Sequence, residues 1–198
     1  MLQYVLIVIG VWLIVQIVIG TRQLKKQQDA MMQQMLEKQE KYRHIDETTF
    51  DETLDDELKD AIVTHIFTKE DEDYEHLKEN LTEGEKVVYT VYLMQTAVDN
   101  GRGSVYQFFT GPGKEYLPDL VDSFTAIGCP KLADLMQKVV DLAIQEQSGQ
   151  IADVDVDEED DAPSFQTYTF DFMDLCEEEQ IEDKLANYIR QHKATFLN

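Results

Sequence analysis

Basic side chains are scarce in this chain of 198 residues: 17 Lys and Arg stand against 40 Asp and Glu, a net charge of −23. The shortage is uneven. Residues 1–45 hold six Lys or Arg and three Asp or Glu, a net of +3. Residues 46–198 hold eleven and thirty-seven, a net of −26. A domain so charged is repelled by duplex nucleic acid and by anionic lipid, which argues against direct binding to either and makes a basic protein the natural partner. The same charge also serves to keep a domain soluble and monomeric, and composition is compatible with both uses.

Catalytic and metal-binding signatures are missing as well. The two cysteines, Cys129 and Cys176, form no spaced cluster and read as reduced, buried thiols. His44, His65, His76 and His192 have no metal-ligand spacing, His65 reads as a core-edge histidine, and no Gly-x-Ser-x-Gly occurs. Gly113-Lys114 is not a phosphate loop, because Phe108 stands where a glycine is needed and Glu115 where Ser or Thr is needed. Asp153-Val154-Asp155-Val156-Asp157 opens like a calcium loop, but Glu158 replaces the required glycine and Ser164 the closing glutamate. Carboxylates are so abundant that a pair of them says nothing about acid–base chemistry. Neither an enzyme, nor a cofactor, nor a structured metal site is expected.

What is present begins with an apolar run. Leu2 to Ile19 carries no charged side chain. Eighteen residues rising ~1.5 Å each span about 27 Å, close to the ~30 Å hydrocarbon core of a bilayer. A transmembrane helix over residues 1–20 is therefore expected. A cleaved signal peptide would carry positive charge before the run and small residues at a cleavage site after it. Here Arg22, Lys25 and Lys26 follow the run, which places the C-terminal side in the cytoplasm of an inner-membrane or plasma-membrane, single-pass protein. Residues 21–45, rich in Gln and Lys, read as a basic helical stalk, and self-association through Met31, Met32, Met35 and Leu36 is open to it.

The acidic domain, residues 46–198, reads as all-helical. Leu54, Leu58, Ala61, Ile62, His65 and Ile66 recur at helical spacing over about Glu52 to Phe67, and a short acidic segment follows to Leu81. Thr82-Glu83-Gly84-Glu85 has capping-box form and opens a buried helix to Val98. Asn100 and Gly101 end it. Leu117, Leu120, Val121, Phe124 and Ile127 mark the next helix, which Gly128 stops, and Pro130 opens another that buries Leu132, Leu135, Met136, Val139, Val140 and Ala143. Residues 147–164 form a mobile acidic loop carrying Asp153, Asp155, Asp157, Glu158, Glu159, Asp160 and Asp161, the candidate partner-binding carboxylates. Phe165 to Phe172 alternates apolar and polar residues and reads as extended. A last helix is expected from about Asp174 to Lys193.

Four short features carry a family resemblance: Asn100-Gly101 after a buried helix, Gln107-Phe108-Phe109, the Ala126-Ile127-Gly128 break, and Tyr188-Ile189-Arg190. With these, residues 86–196 resemble a bacterial family of small helical domains named for the C-terminal domain of an acidic DNA-mimic protein. Two positions depart from its pattern: Gly103 and not Arg102 stands for the second glycine of the turn, and Thr110-Gly111 replaces the Asn after the aromatic pair. The resemblance implies an all-α domain that imitates DNA and captures a basic, DNA-binding protein without catalysis. It also suggests Gln107-Phe108-Phe109 as a site, although the residues by themselves read as core. Two other readings remain: a structural adaptor assembling a membrane complex, and an immunity-type inhibitor of a basic toxin.

Overall fold

The structure, a computed structural model, describes residues 25–26, 29–99, 103–147 and 164–197. The chain divides after Lys41 into two units. Helix α1, residues 29–42, falls almost wholly in the first, where Met31, Met32, Met35 and Leu36 are exposed.

The transmembrane helix expected over 1–20, with the inner-membrane location drawn from it, is corrected. Among the described residues no helix is long and apolar enough to cross a membrane, and residues 1–20 lie outside those described. Charge is the physical reason. The two 18-residue helices, Asp55–Glu72 and Pro130–Gln147, carry Asp56, Lys59 and Asp60 or Lys131, Asp134 and Lys138. Each such side chain costs about 2.5–3.5 kcal/mol at the centre of a bilayer. Among the described residues the fold is all-helical, and the membrane span is not part of that fold class.

The second unit, Tyr42–Asn198, runs α2 (Glu47–Glu52), α3 (Asp55–Glu72), a 3₁₀ turn at Tyr74–His76, α4 (Leu77–Asn80) and α5 (Glu83–Asp99). It continues through α6 (Val105–Thr110), a 3₁₀ stretch at Pro112–Asp119, α7 (Leu120–Ala126), α8 (Pro130–Gln147), α9 (Phe165–Glu178) and α10 (Ile181–Gln191). A 3₁₀ turn at Lys193–Thr195 follows.

Helix α5 is the axis. Its capping box forms on both sides: the Glu85 amide donates to Thr82 Oγ1 at 3.2 Å, and the Thr82 amide donates to Glu85 Oε2 at 2.8 Å. Val88, Val91 and Met94 are fully buried. They recur every three residues, and α5 packs against α3, α6 and α7. Helix α10 lies on α3, and α8 lies on α7 and α9. Gly84 permits one close approach: a Cβ there would meet Thr195 Oγ1 at 2.1 Å, so the turn at Lys193–Thr195 could not settle on α5. In return Thr82 Oγ1 donates to the Thr195 carbonyl at 2.8 Å.

The break between α7 and α8 has a local cause. Gly128 adopts φ +80, the Cys129 amide donates to Phe124 O at 2.9 Å, and the Gly128 amide donates to Thr125 O at 3.0 Å. This is a Schellman ending, which favours glycine because a left-handed residue with a Cβ is strained. Pro130 then begins α8, where its missing N–H would have found no partner.

Three expectations need revision. Leu54 does not point inward: it is 64% exposed, because the chain breaks at Thr53-Leu54 and Leu54 precedes α3. Phe165 to Phe172 is helical, not extended. Ser164 accepts the Thr167 amide at 3.1 Å, and burying Phe165, Tyr168, Thr169, Phe172, Leu175 and Cys176 satisfies helical spacing better than the alternation did. The expected last helix is two helices, α9 and α10, parted at Gln180, which takes a left-handed φ of 54.

Candidate partner-binding surface

The acidic residues singled out from the sequence, Asp153, Asp155, Asp157, Glu158, Glu159, Asp160 and Asp161, lie outside the described residues, as do Asn100 and Gly101. The other motif residues hold separate positions. Phe108 and Phe109 are buried in edge-to-face contact at 5.8 Å, Phe109 meets Phe165 at 6.1 Å, and Gln107 is exposed on α6. A Cβ on Gly113 would fall 2.3 Å from the Phe108 ring, so this segment is tightly packed core. Gly128 serves the Schellman turn, and its carbonyl accepts from Lys184 Nζ of α10 at 2.5 Å. Tyr188 lies against His192 with ring centroids 4.2 Å apart. Gln107-Phe108-Phe109 presents one polar side chain over two core aromatics.

The outward face of α9 has a different character. Asp171, Asp174 and Glu178 are exposed and recur three and four residues apart, which sets them along one line with rises of about 4.5 and 6 Å. Glu177 lies beside them. Phe170 and Met173 share this face, 58% and 52% exposed. On one flank, Asp171 and Asp174 border a shallow cleft against α8, where Asp134 faces them with Lys131 and Lys138.

On the other flank, a cleft of about 440 Å³ opens between the end of α5, α9 and α10. Val98, Phe172, Cys176 and Ile181 line it with apolar surface, and the exposed Met173 lines it as well. Asp99, Glu177, Glu182 and Asp183 stand at its mouth. Among its described lining residues none is Lys or Arg. Glu182 is engaged with Lys59 Nζ at 2.7 Å and with Gln95 Nε2 at 2.8 Å. Gln180, the residue held at positive φ, also lines it.

Two carboxylates are buried, Glu179 beside this surface and Glu85 at the opposite end of α5. Glu179 accepts the amides of Leu132 at 2.9 Å and Lys131 at 3.3 Å, so it caps α8 from the turn between α9 and α10. Glu85, 1% exposed, accepts from Lys69 Nζ at 2.7 Å and from the Thr82 amide. His65 lies 3.6 Å away through Nε2, with Nδ1 on the Arg43 carbonyl at 2.9 Å. Burial lowers the His65 pKa most, Lys69 adds to the fall, and the Arg43 carbonyl and Glu85 oppose it. Both thiols are shielded: burial pushes Cys176 up to about 12 and Cys129 up to about 11. Both stay protonated at neutral pH and are poor nucleophiles. Among the described residues no group of three His, Cys, Asp or Glu could hold a metal ion.

Phe170 goes unmarked in the sequence because 165–172 reads there as extended, and Met173 because it falls between that segment and the helix expected from about Asp174. The helical spacing of Phe165, Thr169 and Phe172 was the signal for the alternative.

The family model for DMP19-like proteins matches residues 79–192, more than half of the chain, from just before α5 to just past α10. No curated protein and no solved structure matches the chain.

Proposed function

We propose that this protein, which belongs to the family of DMP19-like proteins, captures a basic DNA-binding protein by offering carboxylates where that protein expects phosphates. DMP19 stands for DNA mimic protein 19. The observation that supports the reading most is the line of Asp171, Asp174 and Glu178 on α9. A duplex carries one charge per ~1.7 Å of axis, or one per ~3.4 Å on each strand. Carboxylates rising about 4.5–6 Å on a rigid helix approach that density; neighbouring Glu177 and Asp134 raise it, while Lys131, paired with Glu178, and Lys138 lower it. Their field steers a basic face toward the domain and keeps that face from DNA. The role is binding, without a catalytic step.

A structural adaptor would associate through packing and keep its partner at high salt, whereas ion-pair association weakens steeply as salt rises. The test is capture from native lysate on the full chain, eluted by a rising salt step. Elution of a DNA-binding protein at moderate salt, with duplex DNA competing for it, is the expected result. Partners that resist high salt, or that duplex DNA does not displace, would overturn mimicry in favour of the adaptor.

A further inference from the structure

Phosphate imitation explains carboxylates but not why two large apolar side chains stand among them. Phe170 and Met173 are more than half exposed on α9, and Met173 lines a cleft whose other lining residues include apolar Val98, Phe172 and Ile181 and acidic Asp99, Glu177 and Asp183. DNA offers the same mixture: the major groove sets thymine methyl groups between two rows of phosphates, and proteins that read it use apolar contacts to those methyls beside Arg and Lys contacts.

Resting on the mimicry reading, we infer that this cleft receives the basic DNA-reading helix of the captured protein. One apolar side chain of that helix seats against Met173, which takes the part of a thymine methyl, while the acids at the mouth take the part of the phosphates. Charge complementarity selects the occupant. Its lining carries Asp99, Glu177 and Asp183 and, among the described residues, no Lys or Arg, so a basic helix is favoured over an acidic one. An apolar anchor in a desolvated pocket ringed by polar contacts is also the usual arrangement of an interface hot spot.

Two synthetic helical peptides test this against the full chain. Both are rich in Arg and Lys; one carries a single Leu on its basic face, and the other has Gln there. The Leu peptide is expected to bind roughly tenfold more tightly, since seating one such side chain is worth about one decade in affinity. Met173→Gln should abolish that preference while leaving the Gln peptide unchanged. Its position on the surface keeps the fold intact, which the thermal midpoint verifies. Equal binding of the two peptides, a Met173→Gln variant that retains the preference, or no binding of either would overturn the inference. Mimicry stands or falls separately, on whether duplex DNA displaces a captured DNA-binding protein.

Discussion

Glu179 closes the N-terminus of a helix that begins 49 residues before it, its Oε2 accepting the Leu132 amide at 2.9 Å. The carboxylate satisfies amides that α8 cannot pair internally and meets the positive end of the helix dipole. Lys184 Nζ approaches its other oxygen at 3.7 Å. This pins the turn between α9 and α10 to α8, and with it the side of the cleft that Gln180 lines. Glu179→Ala should cost about 1–2 kcal/mol, the usual loss for a helix cap, measured by urea unfolding. Glu179→Gln, which still accepts hydrogen bonds, should lose less.

The pH response should centre on His65, 3% exposed between Arg43 and Glu85. Burial holds its folded-state pKa below the ordinary value of about 6.5, so the unfolded chain takes up the proton first as pH falls. Its contribution to stability is complete above about 6.5 and is lost as pH drops through the lowered folded value. Thermal midpoints from pH 8 downward should begin to fall near about 6.5, above the range of ordinary carboxylates. In His65→Gln that early part of the decline should disappear, leaving the acid-range loss.

Gln180→Gly should raise stability. A left-handed conformation costs a residue with a Cβ about 1–2 kcal/mol, and glycine adopts it freely, though it loses more chain entropy on folding. A net gain of about 0.5–1 kcal/mol is expected, read as a higher urea midpoint at unchanged slope. Gly128→Ala should do the opposite at its φ of +80.

Neutralising the α9 line with Asp171→Asn, Asp174→Asn and Glu178→Gln together should barely move the thermal midpoint. All three are exposed, and the Lys131–Glu178 pair is a surface ion pair that contributes little to stability. Capture of the basic partner should weaken, and the dependence of affinity on salt should flatten. A salt titration of binding by the variant and the native chain checks both.

The parts of the fold that were legible in the sequence are those with a local cause. Thr82 and Glu85 satisfy each other's backbone within four residues, Gly128 and Pro130 punctuate α7 and α8 by their own stereochemistry, and α8 repeats its apolar residues at helical spacing. What escaped depends on residues distant in the chain. The division of α9 from α10 occurs at Gln180, where no glycine announces it and where Glu179 is drawn to α8 instead. Leu54 carries the composition of a core residue but falls in the break between α2 and α3, where the Thr53 carbonyl accepts from Arg190. For the candidate surface, the acidic character was plain, while Phe170 and Met173 gain meaning only once α9 is a helix.

Arg190 of α10 donates to the carbonyls of Phe50 and Thr53 and pairs with Asp55 at 2.8 Å, while its guanidinium lies 5.3 Å from the centre of the Phe50 ring. The span from Phe50 to Arg190 is 140 residues. A chain emerging from the ribosome at about 5–20 residues per second therefore holds α2 and the start of α3 without their clasp for about 7–28 seconds. Through that interval the Phe50 side of the core stays open, and folding of the domain can be completed only once α10 has been made. A vulnerable nascent chain thus accompanies a surface whose rigidity depends on α10 being last into place.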